Sequence, residues 1–128
     1  MSEKLDVVGI GNAMVDAIIP SNQSEIEKHE INRDSMNLID EGLKNNLHDS
    51  YSIREMAGGG SLGNSMFGIT SFGGNGSFIG KIKNDEIGIY LQKDMVREGL
   101  KFPLGFTSPD ISTGCCTIFV EEDGTRTM

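Results

Sequence analysis

Gly58-Gly59-Gly60-Ser61-Leu62-Gly63-Asn64 opens the stretch that decides the fold, and Phe78-Ile79-Gly80-Lys81-Ile82-Lys83-Asn84-Asp85-Glu86-Ile87-Gly88 closes it. Between them Leu62, Met66, Phe67, Ile69 and Phe72 fall at helical spacing, and Gly73-Gly74 stops the helix. Ser77-Phe78-Ile79-Gly80 reads as a short strand. Asp85-Glu86 then caps a second helix running through Val96, with Ile87, Leu91 and Met95 at four-residue steps and Gly99 as its stop. Residues 51–56 alternate ahead of the glycines as a strand would. A strand–helix–strand–helix series from Ser52 to Gly99 implies right-handed parallel crossovers, and hence an α/β fold.

Toward the N-terminus, Leu5-Asp6-Val7-Val8-Gly9-Ile10-Gly11 has the look of a buried parallel strand. Residues 12–20 carry Val15, Ala17, Ile18 and Ile19 and predict a second strand, closed by Pro20. Ser24 followed by Glu27 has capping-box spacing and predicts a short helix over 24–29. Asp40, with Leu43 and Leu47 four apart, predicts another over 40–47. Toward the other end, residues 115–121 form an apolar strand, and Asp123-Gly124 is a hairpin turn leading into Thr125-Arg126-Thr127. Residues 13–19 and 115–127 look like hairpin elements of a small accessory sheet. No internal repeat and no low-complexity segment is present.

The 128 residues suggest one domain, and glycine, at 17 positions, clusters as it does in tight turns and close backbone approaches. A net charge of −8 disfavours binding to nucleic acid or to anionic membranes, which is built on Lys and Arg. No signal-peptide core and no stretch near the ~18 apolar residues of a membrane span occurs, which predicts a cytoplasmic protein. Cys115 and Cys116 are adjacent and would face opposite ways on a strand, so they read as small strand residues and not as a disulfide or metal clip. His29 and His48 lack acidic or Cys neighbours at ligand spacing and read as surface residues; no metal site is expected.

Gly9-Ile10-Gly11-Asn12-Ala13-Met14 invites comparison with the dinucleotide fingerprint but has Met14 at the third glycine position, and no Gly-Lys-Ser/Thr P-loop occurs. Asp16 sits among apolar neighbours, where a carboxylate must reach solvent or hold hydroxyls. It is either the exposed face of an alternating strand or a bidentate acceptor for two vicinal sugar hydroxyls. The Gly58–Asn64 junction is either a tight connection or a site where a ligand meets the backbone and free N–H groups of a helix start, with the Asn64 amide both donating and accepting.

Together, Asp16 after a Gly-x-Gly-Asn strand end, Gly59-Gly60 with Asn64, and Phe78-Ile79-Gly80-Lys81 with Asp85 and Gly88 resemble the ribokinase-like (PfkB) carbohydrate kinase family. Gly9-Ile10-Gly11-Asn12-Ala13, Ser35-Met36-Asn37-Leu38-Ile39-Asp40-Glu41 and Asp123-Gly124-Thr125-Arg126-Thr127-Met128 are more similar still to its adenosine-kinase-like bacterial branch. The resemblance runs over essentially the whole chain. It implies the N-terminal part of a three-layer α/β/α domain, with a small β-sheet lid whose strands lie near residues 13–19, 36–39, 52–56 and 115–127. It also implies ATP- and magnesium-dependent phosphoryl transfer to an alcohol group of a sugar or nucleoside. Asp16 would hold sugar hydroxyls, Gly59, Gly60 and Asn64 would line the same pocket, and Arg126 near the lid end would reach substrate or phosphate. Lys81 belongs to the motif without a catalytic role.

The family's second motif, Gly-x-Gly-Asp, supplies the general base and the anion hole, and it does not occur in these 128 residues. The chain therefore reads as a truncated, substrate-binding portion: inactive alone, with no catalytic residue of its own and no tight site for ATP or magnesium. Pairing through sheet or lid edges into a homo-oligomer is expected. Two rival readings are a non-catalytic sugar- or nucleoside-binding module and a dinucleotide-binding domain.

Overall fold

The computed structural model describes residues 3–128. The elements in chain order are β1 (Val7–Ile10), β2 (Met14–Pro20), α1 (Gln23–Glu27), α2 (Glu41–Ser50) and β3 (Glu55–Gly59). They continue with α3 (Ser61–Ser71), β4 (Gly76–Ile79), α4 (Glu86–Arg97), β5 (Gly114–Val120) and β6 (Arg126–Thr127). They make an α/β chain with a two-stranded sheet, β1-β4, and a four-stranded sheet in the order β3-β2-β5-β6. The chain divides into two compact units: the residues up to Val15 with Ala57–Cys115, and Asp16–Met56 with Cys116–Met128.

In the first unit β1 and β4 run parallel, with Val7 opposite Gly76 and Ile10 opposite Ile79. Parallel partners need a crossover, and α3 supplies it. A second parallel bridge, Ser77 to Lys101, follows α4, so the chain after that helix returns along the other side of β4. The core here is Met66 from α3, Phe78 from β4, Ile82, and Leu91 and Met95 from α4, all essentially inaccessible to water. Phe78 stacks on Phe102 with ring centroids 6.1 Å apart. Helix α4 begins as its sequence predicts: the Asp85 carboxylate accepts the Gly88 amide at 2.7 Å, and Gly99 has a positive φ of 85° just past the end.

Two sequence expectations change in this unit. The strands before and after α3 are not the parallel neighbours that chain order suggests: β3 lies with β2 and β5 in the four-stranded sheet, among the strands the resemblance grouped as a lid, while β4 pairs with β1. The β1 run is also not buried, since Val8 is 51% and Ile10 76% exposed. Among the described residues β1 has a strand partner on one edge only, so the apolar run is left open.

The second unit packs Ile19, Ile26, Leu47 and Phe119 into its own core, with Leu43, Tyr51 and Ile53 against them. Strand β2 alternates here: Val15, Ala17 and Ile19 are buried, while Asp16 and Ile18 lie on the other, partly exposed face. β5 and β6 form the expected antiparallel hairpin, pairing Phe119 with Thr127 and Val120 with Arg126. At its turn the Asp123 carboxylate accepts the Thr125 amide at 2.9 Å. Helix α2 is capped by Asp40, which accepts the Leu43 amide at 2.8 Å.

Four local expectations shift in this unit. The short helix is capped by Asn22, not Ser24, in a reciprocal box with Glu25, and it ends at Glu27. Residues 36–39 form no strand. The backbone there makes a single pairing step with residue 128, Met128 donating its amide to the Ser35 carbonyl at 3.0 Å and Asn37 donating its own to the Met128 carbonyl at 2.6 Å, while the Asn37 side chain accepts the Asn32 amide at 2.8 Å. The strand expected over 52–56 begins only at Glu55 and runs into the glycines as far as Gly59. The histidines are half-buried and bonded, His29 to the Tyr51 hydroxyl and His48 to that of Thr117, each at 2.8 Å.

Candidate functional site

In parallel α/β sheets, ligands gather beyond the carboxyl ends of the strands. The first unit has its cavity there: about 620 Å³, bounded by Gly11, Asn12 and Met14 after β1, Gly80 and Lys81 after β4, and Gly114 at the start of β5. Ile10, Ile79 and Leu104 give it an apolar side. Its walls are backbone brought unusually close. Gly11 donates its amide to the Ile79 carbonyl at 3.0 Å, which extends the β1–β4 ladder by one step. A Cβ at Gly80 would lie 2.9 Å from the Gly11 carbonyl oxygen, and one at Gly114 would lie 2.8 Å from that of Ala13.

Helix α3 starts beside this cavity. Its cap is Gly60, at φ 78° and ψ 153°, a left-handed conformation that glycine takes without strain. No side chain caps the helix, so its first amides have no side-chain acceptor. A Cβ at Gly60 would lie 3.6 Å from the Asn12 carbonyl oxygen and 3.7 Å from the Met14 Cβ, so the junction abuts two cavity-lining residues. Asn64 is exposed on the first turn and donates its backbone amide to the Gly60 carbonyl at 3.0 Å. Gly59 is buried. The junction is held from α4: buried Asp94 accepts the Gly58 amide at 2.9 Å and ion-pairs with Arg97. Three of the expected site residues, Gly59, Gly60 and Asn64, thus share one strand–helix junction, and Gly60 abuts Asn12 and Met14.

Asp16 and Arg126 belong to the second unit. Asp16 follows Met14 by two positions along β2. Its carboxylate is half-buried, makes no hydrogen bond to a described residue, and has its pKa raised above the ordinary 3.8 by loss of solvent. The thiol of Cys116 is pushed up as well, first by burial and then by the charge of Asp16, which keeps it protonated and a poor nucleophile. Arg126 is exposed on β6. A half-buried carboxylate without a partner can accept hydroxyl donors from outside the chain.

Sequence reasoning gave no site role to Asn12, Met14, Lys81 and Asp94. Asp94 did leave a signal, since it falls on the same helical stripe as Ile87 and Leu91 and is the one acid there. Asn12 and Met14 lie where β1 gives way to β2, and no periodicity singles them out.

The chain is an α/β fold with a glycine-walled cavity at the ends of its parallel strands and an uncapped helix start beside it. No family model and no curated protein matches the sequence. Solved structures do. A probable sugar kinase protein from Rhizobium etli CFN 42 is 31% identical with a TM-score of 0.78, over 95% of this chain and 37% of that one. The adenosine kinase from Sinorhizobium meliloti is 33% identical with a TM-score of 0.79, over 98% of this chain and 39% of that one. The adenosine kinase of Trypanosoma brucei brucei, at 19% identity and a TM-score of 0.79, shares the fold. The chain has the fold of the ribokinase-like kinases and spans less than half the length of these structures.

Proposed function

We propose that these residues form the acceptor-binding part of an ATP-dependent kinase that phosphorylates a hydroxyl group of a sugar or nucleoside, in the adenosine-kinase-like branch of the PfkB kinases. The observation that carries this reading is the approach of Gly60, at the start of helix α3, to Asn12 and Met14 at the cavity, in a fold shared with kinases of these acceptors. In this reading Asp16 accepts two vicinal hydroxyls, as an unpartnered carboxylate can. Asn64 supplies an amide that both donates and accepts, and Gly59 and Gly60 let the sugar approach the backbone. The apolar side formed by Ile10, Ile79 and Leu104 suits a flat ring, and Arg126 would reach substrate or phosphate.

Phosphoryl transfer is mostly positioning plus electrostatics, and positioning of the acceptor is what these residues offer. ATP with magnesium would supply the transferred group. The 128 residues contain no Gly-x-Gly-Asp, the motif that the resemblance expects to supply the general base and anion hole. Calorimetry tests the reading directly. Adenosine or ribose titrated into residues 1–128 without nucleotide should bind saturably, with Kd on the order of 0.1–1 mM for an incomplete site. Heat of dilution alone for every sugar and nucleoside tried would remove it.

A further inference from the structure

We infer that Asp85 is a positioning residue for the cavity, acting through Thr113 to hold the two loops that form one of its walls. Capping accounts for only part of what Asp85 does. Its Oδ1 accepts both the Gly88 amide and the Thr113 hydroxyl at 2.7 Å, and its Oδ2 accepts the Thr113 amide at 2.9 Å. Thr113 is 3% exposed, and its hydroxyl oxygen accepts the Lys83 amide at 3.0 Å. One carboxylate and one hydroxyl therefore join three backbone segments: Lys83, the first turn of α4, and Thr113. Hydrogen bonds to an ionised acceptor are about twice as strong as neutral ones, and here they are sheltered from water.

The two loops joined are those that reach the cavity. Gly80 and Lys81 lie just before Lys83, and Gly114 directly follows Thr113; all three line the cavity. The loops are tied again by a parallel bridge from Ile82 to Phe106 and by the amides of Thr107 and Ser108, which both donate to the Ile82 carbonyl at 3.0 Å. Gly114 in turn lies so near Ala13 that a Cβ there would come within 2.8 Å of the Ala13 carbonyl oxygen. Releasing Thr113 from Asp85 frees Gly114 from its seat on Ala13 while leaving every cavity-lining side chain in place. The bonds of Asp85 to Gly88 and Thr113 act on the wall through the backbone, which makes it a positioning residue.

The role in ligand binding rests on the acceptor-site reading above; the role in holding the wall does not. The test uses residues 1–128 and separates the cap from the clasp. Asp85→Asn keeps an N-cap, because Asn caps as well as Asp, but it turns a donor or a neutral oxygen toward the Thr113 amide. Thr113→Val removes the hydroxyl and leaves Asp85 on the helix, and Thr113→Ser restores it. In amide NMR spectra without ligand, Asp85→Asn and Thr113→Val should shift Lys81 and Gly114 and raise their hydrogen exchange about tenfold or more. Leu91 and Met95 should stay as in wild type, and Thr113→Ser should behave as wild type. With adenosine, the same two variants should bind about tenfold more weakly, and Thr113→Ser should bind as wild type does. Lys81 and Gly114 unmoved in both variants would overturn the inference, as would equal loss in Thr113→Ser. Should wild type bind no adenosine while the exchange pattern holds, the acceptor reading fails and the clasp stands.

Discussion

Replacing Gly88 with alanine is expected to destabilise the chain by about 3 kcal/mol, the upper part of the range for overpacking a rigid site. On an ordinary helix the same change would stabilise by up to about 1 kcal/mol, because glycine is the poorer helix former. Packing reverses the sign. A Cβ at Gly88 would lie 2.1 Å from the Lys83 carbonyl oxygen, 2.7 Å from the Thr113 hydroxyl and 3.0 Å from Asp85 Oδ1. The nearest of these is backbone and cannot rotate away. Moving the helix start instead would break the 2.7 Å cap from Asp85 to the Gly88 amide. The melting temperature should fall by roughly 10 °C or more for a chain of this size. An unchanged or raised melting temperature would show that the loop at Lys83 gives way easily, and that the Asp85 clasp is looser than described.

Asp16→Asn is expected to change binding and stability in opposite directions. If Asp16 accepts the acceptor's hydroxyls, losing the charge should weaken adenosine binding by about 10- to 150-fold, since hydrogen bonds to a charged partner contribute roughly 1.5–3 kcal/mol. Without ligand, the carboxylate is a burden: burial raises its pKa above 3.8, so the folded state disfavours the charged form. A raised carboxyl pKa contributes stability below the ordinary value, and that contribution is lost as pH rises through the folded value. At neutral pH the asparagine variant should therefore be the more stable of the two. The difference should vanish on acidification below pH 3.8. Urea unfolding at pH 7 and near pH 3 reads both. Tighter or unchanged binding, or a destabilised variant at neutral pH, would put Asp16 outside the site.

The elements most legible in the sequence were those with a chemical start or stop. Asp40 and Asp85 marked their helices, Gly73 and Gly99 ended theirs, and Asp123-Gly124 turned the hairpin. The illegible parts turned on partners that lie elsewhere in the chain. Residues 36–39 look like a strand, yet their backbone finds only residue 128 to pair with, the Ser35 carbonyl accepting the Met128 amide and the Asn37 amide donating to the Met128 carbonyl. The run at β1 looks buried, yet its burial depends on neighbours that pattern does not encode. Ser24 and Asn22 both have capping chemistry, and the reciprocal bond from Glu25 selects Asn22. At the site, the glycine run followed by Asn64 announced a helix start open to a ligand. Asn12 and Met14, which complete it, sit in an unpatterned turn and became visible only through the approach of Gly60.

Our central proposal is that Asp16 and the Gly59-Gly60…Asn64 junction each respond to the same acceptor. An NMR titration of ¹⁵N-labelled residues 1–128 with adenosine tests it most directly. The account predicts that the amides of Asn12, Met14, Asp16, Gly59, Gly60 and Asn64 shift along one saturation curve, while α2 and the turn at Asp123 stay still. Movement of Asn64 with Asp16 unmoved, or two groups of residues saturating at different concentrations, would contradict it.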